Sequence, residues 1–310
     1  MNLYLAAVYT NQYRRGQKQY PHFNEREGYV VDNVPNILES YHYVGKQRFV
    51  DEMRESGGKV FLDSGAFSAK SLGVDIDLNA YCDYIVRNRD IIRTEDGVVM
   101  ASVLDGIGDP LLTWQNQLAM EAKGATPLPC FHFGEDERYL ELYVQRYPYI
   151  TIGGMVRTSA EDVAQWLDRI WEKYLLDGSG RARLKVHAFG VTTTSLMEWY
   201  PWHSVDSSSW IQAASFGSVY TVEHGPIAIS SRSPSRHDYG RHLTTLSAIE
   251  REQVERELLA EGFEHERLAE VYQSRAAFNM LGYVKLGEEL NRFHAANVGR
   301  LRCHAKQTLF

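Results

Sequence analysis

Short apolar runs separated by amphipathic stretches constrain this chain more than any other feature. Residues 3–8, 60–62, 98–104, 126–131, 149–152, 184–189 and 204–205 form runs of strand length. Residues 79–92 carry Tyr81, Cys82, Tyr84, Ile85 and Ile92, and residues 160–175 carry Val163, Trp166, Leu167, Ile170 and Trp171, at helical spacing. Such helices have an apolar stripe that needs a sheet to cover, so the pattern reads as βα alternation. Seven runs of this kind predict an α/β fold, a (β/α)8 TIM barrel with C-terminal helices, whose eighth strand is sought within residues 217–229. A doubly wound open sheet is the competing architecture. It lacks support here because no glycine-rich phosphate fingerprint follows the first run.

The chain has 310 residues, of which 44% are apolar. That suits one barrel domain over 1–310: a core over about 1–230, then a basic loop and helical part over about 231–310. Residues 11–36 form a long polar connection of the kind that acts as a lid or binding segment. From Ser247 onward the chain reads as helical, with Ser247 and Glu250 placed for a capping box. The formal charge of −7 excludes a wholly basic nucleic-acid coat, leaving room for a local basic patch. Cys82, Cys130 and Cys303 are scattered and odd in number, which fits neither a disulfide scaffold nor a structural zinc motif. Near the C-terminus, His294, Cys303 and His304 lack chelate spacing, so no metal is expected. Neither a basic leader nor a run of about 18 apolar residues is visible, and a cytoplasmic location is expected.

Three of the runs end in carboxylates: Asp63, Asp105 and Asp206. A strand-end Asp alone is as often an N-cap for the next helix. Three together on one barrel mouth permit retaining glycosyl transfer, in which one carboxylate forms a sugar ester and another handles the leaving-group proton. Gly153-Gly154 ends another run and offers bare backbone N–H groups to a base. Phe67 is placed to stack on it, a contact worth about 1–3 kcal/mol. Asp105 is suited to accept from the N1–H and amine of guanine.

Asp63-Ser-Gly-Ala-Phe67, Ile152-Gly-Gly-Met155, His187-Ala-Phe-Gly-Val191 and Ser204-Val-Asp-Ser207 occur in that order. Together they resemble the motifs of the queuine-type tRNA-guanine transglycosylase superfamily and its phage and bacterial relatives that insert 7-deazaguanines into DNA. The resemblance covers about residues 59–217. It implies Asp206 as nucleophile, Asp63 as general acid/base and Asp105 as the carboxylate selecting the base. It also implies Phe67 as the stacking ring, a pocket lined by Ser64, Gly65, Gly153, Gly154 and Gly190, and Met155 as either a backbone contact or a pocket wall.

Departures from the family are specific. Only Cys303 follows Asp206, so the zinc-binding insertion of the tRNA enzymes is absent from this sequence. Cys130-Phe-His-Phe-Gly134 stands where the tRNA enzymes present glutamines, leaving His132 either to read the base or to pack. The arginine-containing segment after the nucleophile is replaced by Ser207-Ser-Ser-Trp-Ile-Gln-Ala-Ala-Ser215. These losses fit a phage-type enzyme acting on duplex DNA, with Arg14, Arg15, Lys18, Arg232, Arg236 and Arg241 as expected phosphate contacts. The expected partners are duplex DNA with a flipped guanine and a 7-deazaguanine such as preQ0. A homodimer or helper proteins are left open, and no cofactor is expected. The alternatives are a zinc-less tRNA-guanine transglycosylase and a non-catalytic nucleic-acid-binding subunit.

Overall fold

Seven parallel strands run side by side through the computed structural model, which describes residues 1–156, 158–191, 193–233 and 241–298. They are β1 (Asn2–Ala6), β2 (Ile37–Ser40), β3 (Val60–Asp63), β4 (Cys130–His132), β5 (Tyr149–Gly153), β6 (Lys185–Ala188) and β7 (Ser204–Ser207). Their order is β3-β2-β1-β7-β6-β5-β4, so the first and last strands are paired, with Tyr4 opposite Asp206. The sheet is curled. Its two edge strands are both reached by the segment after Val99: Leu62 bridges Ala101, and Ser102 bridges Leu128 just before β4.

The chain makes this sheet from runs that differ in regularity, for identifiable reasons. Pro127 and Pro129 lack N–H donors, so the apolar run at 126–131 keeps a regular ladder only from Cys130. Val98–Val99 is diverted into a short antiparallel pair with Thr94–Glu95 before its run reaches the sheet edges. On the inner face, Tyr4, Leu38, Phe61, Met100, Leu128 and Tyr149 pack as one buried cluster.

Helices follow the strands and start where a side chain can accept an orphan N–H. Asp77, Asp109, Asp136 and Ser159 accept from Ala80, Leu112, Arg138 and Asp162. Each such cap is worth about 1 kcal/mol. None of these caps is Asp63, Asp105 or Asp206, so helix initiation does not account for the three strand-end acids.

The chain divides into two compact units. Among the described residues, the first holds 1–10, 36–207 and 290–298, and the second 11–35 and 208–289. Two sequence expectations change here. Residues 217–229 are not a barrel strand. They form an antiparallel hairpin, Ser218–Thr221 against Gly225–Ala228, in the second unit. The missing strand is β2, which is short and interrupted by an acid. Glu39 is fully buried there, its carboxylate accepting from the Tyr9 N–H at 2.6 Å and the Thr10 hydroxyl at 2.7 Å. Residues 11–36 are also more than a polar connection, because they contain the helix Glu25–Asp32, closed by an Asn24/Glu27 capping box.

Within the second unit, Arg267 grips the buried Glu27 with both forks, at 2.6 and 2.8 Å. Burial opposes the charge on Glu27, yet Arg267 holds its carboxyl below the usual range. The expected C-terminal helices are present as Ala248–Ala260, His265–Glu270 and Tyr272–Ala296, and Ser247 and Glu250 do form the capping box. Among the described residues no helix is long and apolar enough to cross a membrane.

Candidate functional site

In a parallel α/β sheet the C-terminal strand ends all face one side, where loops can shape a site. Asp63 ends β3, Asp206 lies near the end of β7, and Asp105 follows the segment that touches both sheet edges. All three line one cavity of about 450 Å³, together with Phe67, His132, Glu135, Gly153, Gly154 and Gly190.

The Asp63 carboxyl is enclosed, though the residue keeps some surface toward the cavity. Its Oδ2 accepts from the Ser40 hydroxyl at 2.8 Å and the Gly65 N–H at 2.9 Å, and its Oδ1 from the Ser102 hydroxyl at 3.2 Å. Burial and the nearby Asp105 charge, with a smaller push from Asp206, raise its pKa to about 6. The Ser40 and Gly65 bonds pull the other way without prevailing. A carboxyl poised there can both give and take a proton near neutrality.

Asp206 is anchored differently. Its Oδ1 accepts the Gly190 N–H at 2.9 Å and lies 3.3 Å from Nε2 of the fully buried His187. Burial lowers the His187 pKa, which keeps the imidazole neutral. Its Nδ1 is 2.8 Å from the Ser204 hydroxyl, which is itself 2.7 Å from the Tyr149 hydroxyl. One consistent proton arrangement runs Tyr149 to Ser204 to His187 Nδ1, leaving a proton on Nε2, which lies close to Asp206 Oδ1 without hydrogen-bond geometry to any described residue.

On the far side of the cavity His132 links two acids. Its Nδ1 is 3.0 Å from Glu135 Oε1 and its Nε2 is 3.6 Å from Asp105 Oδ1, while Glu135 Oε2 accepts the His132 backbone N–H at 2.9 Å. Burial alone would lower the His132 pKa, but its charged neighbours raise it instead. The Cys130 thiol is pushed up to about 11 by burial, so the carboxylates rather than a thiolate favour the imidazolium near neutrality.

Beside this histidine, Gly153 and Gly154 sit where a side chain has little room. At Gly154 φ is +74°, and a Cβ would fall 3.0 Å from His132 Cβ and 3.1 Å from the Phe133 nitrogen. Gly154→Ala is therefore expected to destabilise the protein by about 2 kcal/mol, from left-handed strain plus the crowding. Gly178→Ala, with nothing within 4 Å of the added carbon, should change stability by less than about 0.5 kcal/mol. Urea unfolding of both variants checks this, and equal losses would contradict it.

The remaining sequence-derived residues divide. Phe67 is 51% exposed at the cavity, as a stacking ring requires. Ser64 is fully buried beneath it; its N–H donates to the Ser102 hydroxyl and its own hydroxyl accepts the Ala66 N–H, so it shapes the turn instead of lining the cavity. Met155 is buried and does not line the cavity either; Val156 and Phe189 do. Among the basic residues, Arg14 is corrected: it is buried, with its guanidinium on the Val34 carbonyl, because residues 11–35 are packed structure and not a loose loop. Arg15 is exposed and pairs with Asp32 at 3.4 Å, Lys18 and Arg232 are exposed, and Arg241 donates to the His224 carbonyl. Arg236, Cys303 and His304 lie outside the described residues. His294 donates through Nε2 to the Met197 carbonyl at 2.9 Å.

Sequence reasoning did not place Ser40, Ser102, Glu135 or His187 in the site. Ser40 was hidden with β2. Glu135 carried a signal, since an acid three residues after a strand-end His can reach back to it. No protein-family model matches the chain, and no curated protein matches it.

Proposed function

We propose that this protein exchanges guanine in DNA for a 7-deazaguanine such as preQ0, through an ester between Asp206 and the deoxyribose. In this reading the segment around residues 100–104 completes a closed (β/α)8 barrel, its bridges to Leu62 and Leu128 joining the two sheet edges. The observation that carries the reading is the meeting of Asp63, Asp105 and Asp206 around one cavity with a bare Gly153-Gly154 edge. The preference for DNA over tRNA rests on the sequence, which has too few cysteines after Asp206 for the tRNA enzymes' zinc cluster.

The chemistry follows from the anchoring. Asp206 is fixed through Oδ1 by Gly190, and its other oxygen attacks the anomeric carbon of a flipped nucleotide. The bond to guanine breaks as Asp63 gives its proton to the departing base. Asp63, now a carboxylate, takes the ring N–H proton of the incoming 7-deazaguanine as that nitrogen displaces Asp206. Protons balance, and no oxidant or nucleotide is consumed. Asp105 accepts from the N1–H and amine of either base, and the Gly153-Gly154 backbone approaches the carbonyl.

Duplex DNA carrying labelled guanine tests this: the label is released when preQ0 is added, and an anticodon stem-loop releases none. Release from the stem-loop alone would assign the protein to tRNA, and release from neither with any 7-deazaguanine would defeat the reading. Phe67→Ala should weaken base binding by roughly 5- to 150-fold, the equivalent of one lost stacking contact. The check is KM for the incoming base; an unchanged value would remove Phe67 from the site.

A further inference from the structure

The geometry points to a mononuclear site for a thiophilic divalent metal of the zinc class, held by Asp105, Cys130 and His132 at the inner side of the cavity. Cys130 and His132 are two residues apart on β4, so both side chains leave the same face of the strand. One ligand atom from each of the three residues lies within 4.8 Å of the other two. Cys130 Sγ is 3.5 Å from His132 Nε2, and that nitrogen is 3.6 Å from Asp105 Oδ1. A tetrahedral zinc with Zn–S about 2.3 Å and Zn–N about 2.0–2.1 Å sets sulfur and nitrogen roughly 3.6 Å apart. The same geometry sets nitrogen and oxygen roughly 3.3 Å apart, a few tenths of an ångström less than the 3.6 Å found between His132 Nε2 and Asp105 Oδ1.

Three independent features support a ligand at this point. Among the described residues Asp105 Oδ1 is buried without a hydrogen-bond partner, and its side chain is only 9% exposed. His132 is oriented by Glu135 through Nδ1, the carboxylate–histidine arrangement that fixes a metal-binding imidazole, and its Nε2 is turned toward Cys130 and Asp105. Gly153 brings bare backbone against the ligand atoms, where a Cβ would sit 3.2 Å from His132 Cδ2, 3.5 Å from Cys130 Sγ and 3.6 Å from His132 Nε2. A sulfur ligand disfavours magnesium and calcium and favours zinc. Three protein ligands leave the fourth position for water or substrate, and Asp105 and His132 both line the cavity. The second cluster of potential ligands, Glu223, His224 and Glu257, has no sulfur and an exposed member, which makes it the weaker candidate.

This site goes beyond the transglycosylase reading, because it uses one Asp105 oxygen and leaves the other for a base. It also departs from the sequence expectation of no metal, which rested on the scattered cysteines and on the lack of chelate spacing among His294, Cys303 and His304. The full chain is equilibrated with zinc, desalted and assayed for metal, and the cobalt-substituted protein is examined for a sulfur-to-metal charge-transfer band. The expected result is about one zinc per chain and a sulfur band that survives Cys82→Ser but disappears in Cys130→Ser. Glu135→Gln should keep the band and weaken zinc binding by about 10- to 100-fold. Zinc no higher than in a Cys130→Ser/His132→Asn double variant, or a cobalt protein without the sulfur band, would overturn the assignment and leave His132 as an imidazolium between two acids. Should Cys130→Ser fail to fold, the wild-type cobalt spectrum with its Cys82→Ser control decides. Metal content is read without any exchange assay: zinc bound without exchange defeats only the transglycosylase reading, and exchange by a protein that takes up no zinc defeats only this site.

Discussion

Asp206→Asn loses guanine exchange by about 10⁴-fold or more, the scale seen when a covalent nucleophile or its activating partner is removed. The amide keeps the shape of the carboxylate and still offers an oxygen to the Gly190 N–H, now held at 2.9 Å, so the fold has no reason to respond. What disappears is the anionic oxygen that bonds to the sugar. Because the amide cannot form the ester, both half-reactions stop, and neither higher base concentration nor higher pH restores them. The measurement is exchange rate in the variant alongside its thermal unfolding. A variant that retains exchange within about tenfold of wild type would transfer the nucleophile role elsewhere.

Asp63→Asn combines a loss with a gain. General acid–base catalysis contributes about 10²- to 10⁴-fold, and that factor is expected to vanish. Stability moves the other way. The Asp63 pKa rises from 3.8 in the unfolded chain to about 6 in the folded one, so the folded state binds the extra proton between those values. Stability therefore falls as pH rises from about 4 to about 6 and stays low above it. A shift of this size amounts to about 2 kcal/mol once water in the cavity is allowed for. The neutral amide of the variant escapes that penalty, so the variant should match wild type near pH 4 and exceed it by about 2 kcal/mol at pH 7. Chemical denaturation across this range reads the difference directly. A variant less stable than wild type at pH 7 would mean that Asp63 is held as a structural anion, and the acid–base role would fall with it. Wild-type exchange should also inflect near pH 6.

A carboxyl that destabilises its own fold is expected where function selected the charge. The acids themselves were readable because each closes an apolar run, and strand ends in a parallel sheet gather on one face whatever the details of the strands. Asp63 and Asp206 needed only that rule, while Asp105 follows a run that meets the sheet edges through isolated bridges. The strand count did not follow so simply. β2 is four residues long and carries a buried Glu39 whose long-range partners, Tyr9 and Thr10 among them, cannot be inferred from the local pattern. The hairpin at Ser218–Thr221 and Gly225–Ala228 has the same apolar character as a barrel strand, and only its turn at 222–224 distinguishes it.

Supporting residues were harder still. Ser40, Ser102 and His187 come to the acids through strand register, Ser40 lying opposite Asp63 and His187 opposite Ser204. Register is a property of pairing and not of either strand alone. Arg14 shows the converse error: a basic residue in a polar stretch reads as exposed, while its aliphatic stem and guanidinium are enclosed by packed structure.

The central claim is the temporary bond between Asp206 and the sugar. Wild-type protein mixed with guanine-containing duplex DNA in the absence of incoming base, quenched in acid and digested, is analysed by mass spectrometry for nucleotide-bearing peptides. A deoxyribosyl adduct localised to Asp206, lost on addition of preQ0 and absent from Asp206→Asn, is the predicted result. Guanine exchange proceeding with the adduct on another residue would contradict the account.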